Sequence, residues 1–319
     1  MRRRIFSLLG RVAITCFAFG WVFQLVDLKS LRHTLGSANP FWILMSALLF
    51  FMAQLCCVWR WRLLVPTHPA MTGPFLLNSF LVGSFFNTFL PTTVGGDVIR
   101  GYDLIKATGE WKGALASLLM DRLIGLTGFL LCALGAWMLF PPARQDPFVR
   151  AGFLSFCAAV LLTYAVLGSR RLLHAMLRPF GKIGLGQLQS HAKQFQETLL
   201  SYFKRPKVLL SAFGVSFLVQ ALAIFMFAAV SRAMRLPIPL AFLVLVVPII
   251  LTVSQLPISF NGWGIREGAT ILFLKRVNVE APEALSLSLV CAVIPLLSGA
   301  IGGILFLMRQ RRPRPAPKG

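Results

Sequence analysis

Two short stretches of the chain, "LPTTVGGDVIR" at residues 90–100 and "LPISFNGWGIR" at 256–266, put helix breakers and charges inside apolar sequence. Aligned on the proline, Pro91 matches Pro257, Gly96 matches Gly262 and Arg100 matches Arg266. Backbone leaves a helix at membrane depth only where protein or water satisfies its N–H and C=O groups, so each motif predicts a turn buried inside a bundle. Asp97 and Asn261 are suitable N-caps for short helices over 98–107 and 262–276, ending near Gly109 and Asn278. Each such helix would aim its N-terminus, rich in unsatisfied N–H groups, at the middle of the membrane. With Arg100 and Arg266 in their first turns, the two together would form an anion site, because a guanidinium holds phosphate oxygens in bidentate fashion. Asn87 and Asn261 are polar lining candidates beside them.

The same charges have a second reading. Asp97, Asp121 and Glu267 are the nearest acids, so Arg100 with Glu267 and Arg266 with Asp97 could be ion pairs that lock the turns. A charge at membrane depth is costly and usually functional, and both readings hold if a substrate phosphate replaces one partner. Asp121 fits a coupling or charge-balancing role. Arg122, close to a helix end, also fits an interfacial anchor that snorkels to the headgroups.

The elements that must position these groups are membrane helices. The 319 residues are 57% hydrophobic and 13% charged, with mean hydropathy +0.75, too few polar side chains to cover a soluble surface. The formal charge of +22 lies in clusters between apolar runs, the pattern of cytoplasmic loops beside anionic headgroups rather than of a nucleic-acid-binding face. The cysteines, Cys16, Cys56, Cys57, Cys132, Cys157 and Cys291, all sit in apolar segments without a C-x-x-C pair, so no metal site, disulfide framework or cofactor is expected.

The start, with its basic n-region and long apolar stretch, reads as an uncleaved first helix. Uncharged runs follow at Phe41–Val58, Pro74–Gly96, Leu123–Phe140, Ala151–Gly168, Val208–Ser231, Leu236–Ile265 and Ala284–Met308, giving eight hydrophobic segments. Trp21, Trp42, Trp59, Trp61 and Trp137 fall near their ends and are expected as interface anchors.

Loop charge sets the orientation. The stretch Arg170 to Lys207 carries eight Lys or Arg against one Glu, and the tail at 309–319 is Pro- and Arg-rich, so both should face the cytoplasm. That requires six full spans plus two re-entrant hairpins, around 74–100 and 240–276, with Lys275 and Arg276 toward the outer face. The expected fold is therefore an all-α polytopic membrane protein, one domain over 1–308. Its halves, about 41–140 and 208–308, form an inverted repeat, joined by a linker span at 151–168 and a basic cytoplasmic loop at 170–207. In that loop Leu188, Phe195, Leu199 and Tyr202 share one helical face, which suits either a helix on the inner membrane surface or one covering the bundle. The tail at 309–319 is expected to be disordered.

With "GSFFNTFLPTTVGGDVIRGYDL", "LASLLMDRLIGL" and "LPISFNGWGIREG" in hand, the sequence resembles the transmembrane, flippase-like domain of the lysylphosphatidylglycerol synthase family, from about residue 10 to 308. The resemblance implies a bacterial inner-membrane protein that moves a lipid between leaflets, without the cytoplasmic aminoacyltransferase domain of fused members. It implies partners among anionic or aminoacylated phospholipids, and a separate lipid-synthesis enzyme as a further partner. Position by position it emphasises Pro91, Gly95, Gly96, Pro257, Gly262 and Gly264 as turn or hinge residues, and Asp97, Arg100, Asp121, Arg122, Arg266 and Glu267 as the charged set.

The leading expectation is a translocator of phosphate-bearing lipid, not an enzyme. No phosphate-binding G-x-x-x-x-G-K-[ST] loop occurs, so any active transport would be ion-coupled. The alternatives are a membrane-embedded lipid-modifying enzyme using Asp97 or Asp121, and a transporter of small anions. Against the enzyme, His33, His68, His174 and His191 are scattered and no G-x-S-x-G or H-E-x-x-H motif appears.

Overall fold

The computed structural model describes residues 36–89, 95–139, 145–169, 186–255, 259 and 262–311. The expected first helix, residues 170–185 of the basic loop, the tail from 312, and Pro91, Pro257 and Asn261 lie outside these residues.

The described chain is all-α. Its helices are α1 (Pro40–Leu64), α2 (Gly73–Phe89), α3 (Gly95–Thr108), α4 (Trp111–Leu139), α5 (Pro147–Gly168), α6 (Gly186–Ser201), α7 (Pro206–Ala233), α8 (Leu240–Ser254), α9 (Ile265–Leu274) and α10 (Ala281–Arg311). Among them α1, α4, α5, α7 and α10 are long and apolar enough to cross a membrane, which makes this a multi-pass membrane protein. Their apolar residues run all round, as suits helices that face lipid on one side and protein on the other. Leu44, Leu48, Met52, Leu55 and Trp59 of α1 accordingly form an exposed apolar stripe.

Local chemistry sets the helix ends. Pro40, Pro147 and Pro206 each occupy the first helical position, where the missing N–H costs nothing. Asn39 accepts the N–H of Phe41 at 3.0 Å, and Asp146 accepts those of Phe148 and Val149. Gly109, at φ +75°, follows α3, and the left-handed Asn278 follows the 3-10 turn after α9, the two stops expected from the sequence. The starts differ: α3 begins at Gly95, so Asp97 lies in its first turn rather than at the N-cap, and α9 begins only at Ile265.

Packing joins the two halves of the chain. α1 runs antiparallel to α7, with the Asn39 N–H donating to the Ala233 carbonyl at 2.9 Å at one end and Arg60 donating to Ser216 at 3.1 Å near the other. α2 packs on α10 and α8 on α4, while α3 leans on α4 and α9 on α10. At the α2/α10 crossing a Cβ at Gly302 would collide with the Leu81 carbonyl, and Gly299 and Gly303 lie almost as close to Thr88 and Phe85. Small residues permit such approach between membrane helices. Gly302→Ala is therefore expected to cost about 1–3 kcal/mol, seen as a lower thermal midpoint in detergent.

α6 packs against the bundle. Leu199 and Tyr202 are buried in one cluster with Leu64, Ala116, Met120, Leu123 and Ala212. The Tyr202 hydroxyl donates to the Leu64 carbonyl at 2.6 Å, and burial pushes its phenol up to about 12. Tyr202→Phe should lower stability by about 0.5–1.5 kcal/mol in the same melting experiment.

Candidate functional site

The gap between α2 and α3 and the gap between α8 and α9 each bring a charged helix start into the interior. In the first, the Asn87 side-chain oxygen accepts the Gly96 N–H at 2.7 Å. A Cβ at Gly96 would sit on the Gly83 carbonyl and the Asn87 amide, so only glycine allows α2 and α3 this close. Asn87 thus fixes the start of α3, and Gly95 is buried beside it. In the second gap Gly262 and Gly264 have φ of +74° and +80°, a region that favours glycine. A Cβ at Gly262 would also strike the Ser254 carbonyl.

α3 delivers Asp97 and Arg100. Arg100 is paired with Asp97, one turn away, and its Nη1 lies 3.7 Å from Asp121 Oδ2 on α4. Its guanidinium stands 4.8 Å from the Trp61 ring centre and 5.1 Å from that of Phe80. Trp61 is therefore a fully buried platform and not an interface anchor, whereas Trp59 is exposed as expected. The other oxygen of Asp97 accepts from Arg122 at 2.9 Å, and Arg122 also donates to Gln255 at 2.5 Å, just past the end of α8. Arg122 is thus tied into this network while its side chain remains about one third exposed, at 36%.

α9 delivers Arg266 and Glu267. Glu267 is fully buried; one of its oxygens accepts from Arg266 at 2.6 and 2.9 Å, and the other accepts the Gly264 N–H at 2.6 Å. Ser288 of α10 donates to it at 3.4 Å, and Arg266 lies 4.9 Å from the Trp263 ring. The arginines thus pair with acids of their own half. The cross pairs weighed from sequence, Arg100 with Glu267 and Arg266 with Asp97, are not among the ion pairs of the described residues.

The residue that spacing alone missed is Arg60. The uncharged run stops at Val58, but α1 continues to Leu64, so Arg60 is inside a helix and buried, donating to Asp121 at 2.7 Å. Asp121 therefore stands between Arg60 and Arg100. Buried charges need such partners, because an isolated one would pay the full cost of leaving water.

These groups border a cavity of about 510 Å³ between the two halves. Its lining includes the polar Arg60, Asp121, Arg122, Gln220, Gln255 and Arg266 and the apolar Phe50, Leu126, Phe129, Val160, Met226 and Leu251. Arg100 stays behind Asp121, outside the cavity lining. Gln54 and Gln220, single amides within apolar runs, were visible in sequence as polar residues at membrane depth but were not singled out. Among the described residues no group of His, Cys, Asp or Glu is arranged to hold a metal ion.

Fold and site together define a multi-pass, all-helical membrane protein with a buried arginine-carboxylate network on an internal cavity. The family model for the lysylphosphatidylglycerol synthase TM region matches residues 8–303, and the chain belongs to that family. No curated protein matches the sequence.

Proposed function

We propose that this protein carries a phosphate-bearing lipid between the leaflets of a bacterial inner membrane, the headgroup passing through the cavity while the acyl chains stay in the bilayer. The observation that carries this reading is the cavity itself, whose lining combines Arg60, Arg122 and Arg266 with many apolar side chains. Phosphate oxygens suit guanidinium donors, and apolar side chains suit the start of an acyl chain.

The pairs α2/α3 and α8/α9 are read as re-entrant hairpins and the two halves as an inverted repeat. Reciprocal packing supports this: α2, from the first hairpin, packs on α10, while α8, from the second, packs on α4. The antiparallel contact of α1 with α7 agrees with halves of opposite orientation. α6, Arg205 and Lys207 lie at the end of the bundle where α1 finishes, which we place in the cytoplasm with both termini. Transport then proceeds by rocking of one half against the other around a fixed site.

The test is reconstitution into vesicles with acyl-labelled anionic and zwitterionic phospholipids, followed by a leaflet-accessibility assay. Protein-dependent crossing of an anionic phospholipid is expected. Crossing no faster than in protein-free vesicles, for every lipid, would refute the reading.

A further inference from the structure

A second opening lies apart from the central cavity, at the end of the bundle opposite α6. It is a groove of about 570 Å³ between the start of α1, the end of α7 and the connector at 234–239 that leads into α8. Trp42 and Arg232 belong to it at the helix ends, and Met45, Leu49, Phe225 and Leu243 line it further in. From Arg232 back to Phe225, α7 covers roughly 10 Å along its axis, so the groove joins a guanidinium at the depth of headgroups to apolar side chains at the depth of acyl chains. Phe225 and Leu240 are exposed, as are Leu44 and Leu48 beside them on α1, so the groove opens on hydrocarbon rather than on the bundle interior.

Arg232 has no carboxylate to meet. The helices that form the groove come from two stretches of sequence, 28–96 and 198–266, that contain neither Asp nor Glu. At the same end of the bundle Arg276 shows the paired alternative, 3.3 Å from Asp146 and beside the Phe148 ring. Arg232 instead lies 5.2 Å from the Trp42 ring centre, and among the described residues its N–H groups find no acceptor. A guanidinium that uses its face on an indole keeps its edge donors, in the fork that suits phosphate oxygens.

We infer that this groove holds one resident phospholipid, its phosphate on Arg232 and an acyl chain along α1 and α7, at a site separate from the central cavity. An unpaired cation at the interface attracts phosphate, and an apolar trough open to hydrocarbon accepts a chain; a phospholipid supplies both in one molecule. Bound there, it bridges α1, α7 and the connector at 234–239, bracing the approach to α8. The site stands whether or not lipid crosses through the cavity.

The experiment exposes the full chain in detergent to a phosphoglycerol lipid with a photoreactive acyl chain and maps the adducts by peptide mass spectrometry. Adducts on Met45 and Leu240 report the groove, and those on Leu126 and Leu251 report the cavity. Groove labelling is expected to saturate and to be displaced by unlabelled phosphoglycerol lipid, but not by diacylglycerol, which lacks the phosphate. Arg232→Gln, a change on an exposed side chain, should lower groove labelling about tenfold or more and leave cavity labelling unchanged. Ala228→Phe, which fills the groove without touching a charge, should do the same. Labelling that does not saturate, or that diacylglycerol displaces equally, would reduce the groove to ordinary bilayer contact and overturn the site. Unchanged groove labelling in Arg232→Gln would overturn it as well. Displacement by water-soluble glycerophosphoglycerol at the same concentration would overturn the resident lipid in favour of a soluble phosphate ligand.

Discussion

Asp121→Ala should destabilise the protein by about 3–5 kcal/mol, the usual result of stripping one partner from a buried ion pair. The carboxylate sits between Arg60 and Arg100, whose side chains are 8% and 6% exposed. Without it Arg60 keeps only its 3.1 Å bond to Ser216, and Arg100 keeps Asp97. Loss of folded yield and a lowered thermal midpoint in detergent would show the effect. Replacing both members, Arg60→Leu with Asp121→Leu, should recover much of the loss, because a matched apolar pair removes the uncompensated charge. If Asp121→Ala melted like the wild type, Asp121 would not be the pivot of the network.

Arg122→Gln should separate transport from stability. Arg122 is the most exposed arginine of the network at 36%, and Asp97 retains Arg100 when it is gone, so the fold should change by less than about 1 kcal/mol. A hydrogen bond to a charged group contributes about 1.5–3 kcal/mol, so lipid movement should fall roughly tenfold to a hundredfold if Arg122 holds the phosphate. An accessibility assay on vesicles with matched protein content measures this. An unchanged rate would remove Arg122 from the substrate path.

Much of this was legible in the sequence because charges in an apolar chain have few places to go. Asp97, Arg100, Asp121, Arg122, Arg266 and Glu267 were marked by type and depth alone, and all enter ion pairs. The turn glycines were legible for a related reason, since positive φ at Gly262 and the close approach at Gly96 admit little else. Partner choice was not legible, because Arg100 meets Asp121 only through the packing of α3 on α4, a contact that spacing does not encode. Arg60 and Trp61 were hidden by a helix that runs six residues beyond its uncharged stretch, burying the arginine together with the tryptophan expected at the interface. The face shared by Phe195, Leu199 and Tyr202 suits lipid or protein equally, so its contact with α4 and α7 becomes visible only in the folded chain.

The central claim is that lipid headgroups cross through the cavity between the halves. Ala223, a small residue of α7 in the cavity wall, allows the route to be plugged without touching a charge. The decisive measurement is the leaflet-crossing rate of an acyl-labelled anionic phospholipid in vesicles carrying Ala223→Trp, using protein whose gel-filtration profile matches the wild type. A rate reduced to that of protein-free vesicles is predicted; crossing at the wild-type rate would contradict the cavity as the path.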